Sequence, residues 1–139
     1  MSVLKFRIDK IVTKDFEIKQ TDCISKLHFS LTFQFKINLE EKVICCISHY
    51  EYMTDEEIIM RLDLECYFQI EPEYFTSLIK DEILTIKTEI LQYLATIAVG
   101  SARGEIHARC AIAESSIQEI VLPPVDLTKI IQTPAEFKV

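Results

Sequence analysis

Cysteine and histidine side chains are the groups in this chain that could act as nucleophiles or bind a metal. The sequence has five cysteines and three histidines, and two of the cysteines, Cys45 and Cys46, are adjacent. They fall in a segment of alternating pattern, so the two thiols point to opposite faces of a strand and cannot bind one metal together. His49 shares a face with Cys45 but lies about 13 Å away along an extended strand, too far to act as its general base. We therefore expect no metal site and no cysteine nucleophile, and we expect the cysteines to fill the core.

Paired carboxylates are the other candidates for chemistry. Asp63 and Glu65 are two residues apart, so on a strand they share one face. General acid–base catalysis would also need a pocket and a third group that orients them. The sequence has no HExxH, GxSxG, P-loop or GxGxxG motif. Two interpretations stay open, a solvated acidic surface and a surface that binds a partner, and we expect neither enzyme activity nor a cofactor.

The clearest predicted element is a long strand at residues 26–40. Every odd position from 27 to 39 is apolar and every even position is polar, the period of a strand with one buried face. Similar but less regular alternation predicts three more strands, at residues 4–18, 43–52 and 58–70. Pro72 then removes a backbone donor and ends the fourth strand. One-sided patterning and short connections predict a four-stranded antiparallel meander.

The spacing of apolar residues changes beyond the fourth strand to steps of three and four. This period predicts one long helix over residues 77–102, with Gly104 as its C-terminal stop. Its apolar surface is wider than one sheet face requires, so we expect part of it to form a subunit contact. Asp126 is a good N-cap for a short helix at residues 127–132, and residues 105–119 show no clear period. The predicted fold class is α+β, a four-stranded antiparallel sheet followed by one long and one short helix.

Size and charge restrict the function further. The chain has 139 residues, the size of one domain, so we expect residues 1–139 to fold as a single unit. Its net charge of −7 disfavours nucleic acid, which needs a basic surface to neutralise phosphates. We expect no signal peptide and no membrane insertion, because no apolar run approaches about 20 residues. The odd number of cysteines suggests free thiols in a reducing cytoplasm, so we expect a cytoplasmic protein.

Two residue pairs in the second half of the chain resemble a known family. An Arg-Gly pair, Arg103-Gly104, closes the predicted long helix, and a Pro-Pro pair, Pro123-Pro124, precedes the short one. Their order after four antiparallel strands resembles the SecB family of export chaperones, over about residues 93–131. The chain departs from the family's pattern in its longer stretch between the pairs and in having Asp-Leu where Asn-Phe is typical. The resemblance implies a SecB-like fold.

The resemblance also implies roles for three groups of residues. The segment around the Pro-Pro pair would border a groove for client polypeptides, with four candidates: Leu122, Pro123, Pro124 and Val125. Asp63 and Glu65 would lie on a strand that offers acidic residues to the SecA motor. The long helix would pair subunits into a homodimer or homotetramer through Leu91, Leu94 and Ala98. Few residues follow the short helix, so we expect the tail that export SecB uses with SecA to be missing.

The residues and the resemblance together predict a binding function. We expect a chaperone that holds unfolded or extended polypeptides, either for protein export or for one dedicated client such as a toxin–antitoxin pair. Such a holdase needs a broad, apolar and tolerant surface, and oligomerisation would add avidity. Two alternatives stay open, an adaptor domain with a single partner and a domain with a small-molecule cavity. The bulky side chains of the predicted strand at residues 26–40 disfavour the cavity, because they fill the inner face of the sheet.

Overall fold

Four long antiparallel strands form the main sheet of the computed structural model, which describes residues 4–19, 27–55, 57–112 and 120–139. The strands are β1 (Phe6–Ile18), β2 (His28–Asn38), β3 (Val43–Met53) and β4 (Ile58–Ile70). Their order in the sheet is β1-β4-β3-β2, so the last three form a meander and β1 pairs with β4. Helices follow the sheet, and the predicted α+β fold class is confirmed.

Strand β1 is a single strand with two irregularities, which explain its uneven sequence pattern. Its register with β4 shifts between Ile8 and Lys10 and again between Thr13 and Asp15. Each shift adds one residue to β1, as a β-bulge does. Beyond each shift, odd- and even-numbered residues of β1 therefore point to the opposite sides of the sheet from before. Ile11, and not Lys10, therefore faces the side of the sheet that the helix covers.

The segment predicted as the start of the long helix folds differently. After β4 come a short helix, α1 (Pro72–Ser77), and a hairpin of two strands, β5 (Ile79–Lys80) and β6 (Ile83–Ile86). Asp81 and Glu82 join these strands, and both have positive φ, as a two-residue type I′ turn requires. The prediction of a helix from residue 77 was wrong, because apolar residues three or four apart occur in a tight hairpin as well.

The long helix, α2, spans Thr88–Ala111 and so begins and ends later than predicted. It continues through Gly104, which does not stop it, and neither glycine has a positive φ. Beyond that point the helix buries Ile106, which is 0% exposed. Burying such a side chain contributes about 1.5–3 kcal/mol, more than the roughly 1 kcal/mol that a glycine costs within a helix. Residues 105–111 of the ambiguous stretch are thus helical, and residues 113–119 lie outside the described part.

The core lies between α2 and the sheet. Helix α2 packs over β3 and β4, and the side chains that these strands turn toward it are fully buried. Tyr50 and Leu62 on the strands and Leu94 on the helix are all 0% exposed. In the described part of the chain, no helix combines the length and the hydropathy needed to cross a membrane.

The C-terminal part adds a short helix and a strand. Asp126 caps α3 (Leu127–Ile130) by accepting hydrogen bonds from the hydroxyl and backbone N–H of Thr128, as its predicted N-cap role requires. These two hydrogen bonds lower the pKa of Asp126 below its ordinary value. Strand β7 (Ala135–Lys138) then pairs with β6 and completes a second sheet, β5-β6-β7, that the sequence did not predict.

Candidate functional site

Helix α2 leaves the edge strand β2 partly uncovered. On β3 and β4 the residues facing the helix are buried, but on β2 the matching residues are only half-buried. These half-buried residues are Phe29, Leu31, Phe33, Phe35 and Ile37. The strict alternation of the sequence thus produces a row of apolar side chains along the edge of the sheet.

This row forms one wall of a groove of about 400 Å³. Leu31, Phe33 and Phe35 line its strand side, and Leu91 lines it from α2. The opposite wall is formed by residues 130–135, which run from the last residue of α3 to the first residue of β7. Three separate parts of the chain therefore meet at the groove.

The groove wall formed by residues 130–135 is held in place by a side chain of α2, and the described residues that line the groove are uncharged. Gln92 of α2 donates a hydrogen bond from its side-chain amide to the carbonyl oxygen of Ile131 at 2.8 Å. None of the described residues that line the groove carries a charge, although the chain has a net charge of −7. Burying a charge without a partner is costly, so the groove favours an uncharged occupant.

Strand β2 also offers backbone hydrogen-bonding groups beside the groove. It pairs with β3 along its whole length, and no strand of the described residues pairs with its other edge. An edge strand presents unpaired N–H and C=O groups, and an extended peptide can form backbone hydrogen bonds with them as an added strand. Strand β2 has neither a proline nor a register shift, whereas the other edge strand, β1, is interrupted twice. The edge of β2 is therefore the better template for an added strand.

The segment around the two prolines, residues 120–126, is held by side chains of β3 and α2; we call it the Pro-Pro segment. The Tyr52 hydroxyl donates a hydrogen bond to the carbonyl oxygen of Val121 at 2.5 Å. Arg103 donates from Nε and Nη2 to the next two carbonyl oxygens along the chain, at 3.4 and 3.1 Å. Burial raises the pKa of Tyr52 to about 12, so its hydroxyl stays protonated and able to donate.

The four predicted candidates in the Pro-Pro segment do not face the same way. Leu122 is 2% exposed and packs into the core. Pro123 and Val125 are half-buried, and Pro124 is exposed. Val121, which was not among the predicted candidates, is 62% exposed. A bound polypeptide could reach Val121 and Pro124 but not Leu122, whose side chain the rest of the chain already covers.

Asp63 and Glu65 lie on the side of the sheet that α2 does not cover, and both are hydrogen-bonded within the chain. Asp63 lies against Nδ1 of His49, whose Nε2 is 2.6 Å from a carboxylate oxygen of Glu51. Glu65 accepts a hydrogen bond from the Tyr67 hydroxyl at 2.5 Å. Burial opposes protonation of His49, but the two carboxylates together outweigh it and raise its pKa. The two carboxylates that flank His49 thus favour its charged form, and Asp63 is the member of the acidic pair that His49 contacts.

Cys45 lies on the same uncovered side, in a pocket of about 220 Å³ bordered by Lys10, Lys36 and Tyr67. It is 7% exposed, and burial together with the nearby Glu65 raises the pKa of its thiol. A protonated thiol is a weak nucleophile. The other cysteines of the described residues are fully buried, which confirms them as core residues: Cys46, Cys66 and Cys110. Cys23 lies outside the described residues.

The residues of α2 that were predicted to contact another subunit face inward. Leu91, Leu94 and Ala98 are 2%, 0% and 0% exposed and pack against the chain's own core. Their side chains are therefore covered within one chain, which corrects their assignment to a subunit contact, while oligomerisation itself stays a prediction. The outer face of α2 instead presents Tyr93, which is 55% exposed, and Gly100, where an added Cβ would meet no atom within 4 Å.

Comparison with known proteins gives similarity at the level of structure. No protein-family model matches the chain, and no curated protein matches it. A solved protein of unknown function from Streptococcus agalactiae is similar at a TM-score of 0.45 and 11% identity, over 90% of this chain and 99% of that one. A SecB-like chaperone from Mycobacterium tuberculosis, solved with a ChAD peptide from the HigA1 antitoxin, is similar at a TM-score of 0.46 and 12% identity, over 87% and 91%.

Proposed function

We propose that this chain is a SecB-like holdase that binds extended, apolar segments of unfolded polypeptides in the groove along β2 and catalyses no reaction. The observation that carries the proposal is an uncharged groove, lined on its strand side by Leu31, Phe33 and Phe35, beside an unpaired edge strand of the described sheet. The resemblance of the Arg-Gly and Pro-Pro pairs to the SecB family supports the same function. We place the activity in the cytoplasm, where buried free thiols stay reduced.

A client segment would be held by its backbone and by its side chains. Its backbone would pair with the free edge of β2, and every second side chain would enter the groove beside Phe33 and Phe35. Each apolar side chain that becomes fully buried contributes about 1.5–3 kcal/mol. Association itself costs about 4–15 kcal/mol. Because only a few side chains fit in about 400 Å³, a single groove would bind weakly and release its client readily.

We also propose that copies of the chain assemble through β1 and the outer face of α2. Ile8 and Ile11 on β1 are 46% and 45% exposed, and Tyr93 on α2 is 55% exposed. The rings of Phe6 and Tyr93 are in contact, with centroids 5.8 Å apart, so the two apolar surfaces are continuous. Contiguous exposed apolar residues are typical of protein–protein interfaces. Several weak grooves in one homodimer or homotetramer would bind a long client with far higher avidity than one groove.

A chaperone or adaptor dedicated to one partner is the second candidate. The small volume of the groove favours it, because about 400 Å³ accommodates one short motif more readily than many different segments. A SecA-like motor that bound Asp63 and Glu65 would have to compete with His49 and the Tyr67 hydroxyl, which already contact these carboxylates within the chain.

Suppression of aggregation separates these candidates. An unrelated unfolded protein is diluted into buffer with and without the chain, in the absence of nucleotide, and light scattering is followed. The native mass of the chain is measured on the same sample. A general holdase keeps scattering low at near-stoichiometric amounts, whereas a dedicated chaperone has no effect on this client but still assembles. A monomer that has no effect would contradict the proposed function.

A further inference from the structure

Three consecutive carbonyl groups of the Pro-Pro segment accept hydrogen bonds from two separate elements. The carbonyl of Val121 accepts from Tyr52 of β3, and the next two accept from Arg103 of α2. Residues 120–126 belong to no helix or sheet of the described chain, so these side chains supply the hydrogen-bond partners that regular structure would otherwise provide. The planar guanidinium suits two neighbouring carbonyls, because its N–H groups are arranged in a fixed fork.

Tyr52 connects this segment to the row of side chains on β2. Its ring contacts Phe29, with centroids 5.0 Å apart, and Phe29 is the first residue of that row. The groove itself lies further along the row, from Leu31 to Phe35. Phe29 and Phe35 are separated by about 20 Å of extended strand, which corresponds to a peptide of about seven residues. The carbonyl of Val121 is therefore held near the Phe29 end of the row, and the groove lies toward the other end.

We propose that Tyr52 and Arg103 are positioning residues, which hold Val121 at the Phe29 end of the row so that it contacts the last apolar side chain of a long bound segment. This inference rests on the proposed function. The contact with Val121 makes the site distinguish clients by length. A short apolar segment would fill only the groove beside Leu31 to Phe35, and a longer one would also gain the contact with Val121.

The test uses two fluorescently labelled apolar peptides, one of about four residues and one of about eight, on either side of the predicted span. Tyr52→Phe removes only the hydroxyl and keeps the ring against Phe29. We expect this variant to bind the long peptide about threefold to tenfold more weakly, as the loss of one hydrogen bond implies. Its affinity for the short peptide should stay within about twofold of the natural chain.

A matched control and a second variant keep the test decisive. Tyr67→Phe also removes one hydroxyl hydrogen bond, but on the uncovered side of the sheet, and should change neither affinity. Val121→Asp alters a side chain that is 62% exposed, so it should fold normally and also weaken binding of the long peptide alone. If Tyr52→Phe does not fold, the affinities of Val121→Asp for the long and the short peptide test the proposal instead.

The outcomes separate this inference from the proposed function. If the natural chain binds neither peptide, the proposed function is wrong and the inference falls with it. If the natural chain binds both peptides but Tyr52→Phe and Val121→Asp weaken both equally, or neither, the proposed function stands and the positioning role is wrong. A loss confined to the long peptide supports both, because a merely structural defect would not depend on peptide length.

Discussion

The guanidinium of Arg103 donates a hydrogen bond from Nη2 to the carbonyl oxygen of Pro123 at 3.1 Å. This contact joins the Arg-Gly pair of α2 to the Pro-Pro pair, which lies 20 residues further along the chain. The two sequence features that resemble the SecB family are thus parts of one structural unit. In this chain the arginine does not mark the end of the helix but fixes the segment that follows it.

Removing the guanidinium should destabilise the fold. Arg103→Met keeps most of the apolar stem but leaves two carbonyl groups without their donor. Hydrogen bonds to charged groups contribute about 1.5–3 kcal/mol, so we expect the free energy of unfolding in urea to fall by about that amount. Arg7→Met, at an exposed position of β1, is the control and should change it little. Equal effects of the two substitutions would contradict a structural role for Arg103.

The stability of the chain should depend on the protonation of His49. The pKa of His49 is raised in the folded state above the roughly 6.5 of an unfolded chain. A raised pKa stabilises the fold fully below about pH 6.5, and this contribution is lost as the pH rises through the folded-state value. We therefore expect the stability difference between the natural chain and His49→Gln to shrink as the pH rises from about 6. Urea unfolding at several pH values measures this stability difference. A difference that does not change with pH would contradict the protonation of His49 between Asp63 and Glu51 in the folded chain.

Leu94 should act as a core residue and not as a subunit contact. Its side chain is 0% exposed on the inner face of α2, so Leu94→Ala should leave a cavity and cost about 2–5 kcal/mol of unfolding free energy. Glu89→Ala, at an exposed position of the same helix, should have little effect. A large loss of native mass in Leu94→Ala without a loss of stability would restore its predicted role at an interface.

Assembly should depend on the outer face of α2. Tyr93→Glu places a charge on an apolar surface where the natural side chain is 55% exposed, so the chain should fold but assemble poorly. Native mass spectrometry or light scattering over a range of concentrations measures the change. Thr96→Glu introduces the same charge one turn along the exposed face and shows how far the interface extends. An unchanged native mass in Tyr93→Glu would exclude this surface as the interface.

The main sheet was predictable because its signals are local. In β2 the alternation of apolar and polar residues is strict, so both the element and its buried face follow from the sequence. The start of α2 was not predictable in this way. Asp81-Glu82 adopts positive φ values that Asn-Gly would normally signal, and β7 pairs with a strand about 50 residues earlier in the chain. Such pairing depends on tertiary contacts that no local period reveals.

The candidate site was only partly predictable for the same reason. The apolar row of β2 and the Pro-Pro segment are visible in the sequence, but their relative exposure depends on where α2 lies. Tyr52 and Val121 were missed because a hydrogen bond between residues 69 positions apart leaves no local pattern. Leu122 was selected because the resemblance to the SecB family places its segment beside a client groove, and the structure turns it inward while its neighbour Val121 faces solvent.

Fluorescence anisotropy with a long, uncharged apolar peptide tests whether clients bind along β2, by comparing the affinities of the natural chain and of Ile130→Glu. Ile130 lines the groove and is 43% exposed, so the substitution places a charge there with little risk to the fold. Ile83→Glu, at a residue of β6 that is 38% exposed and is not among the groove-lining residues, is the matched control. If peptides bind along β2, Ile130→Glu should weaken binding at least tenfold, as about 1.4 kcal/mol implies, while Ile83→Glu leaves it unchanged. Equal binding by the natural chain and both variants would show that the groove is not the binding site.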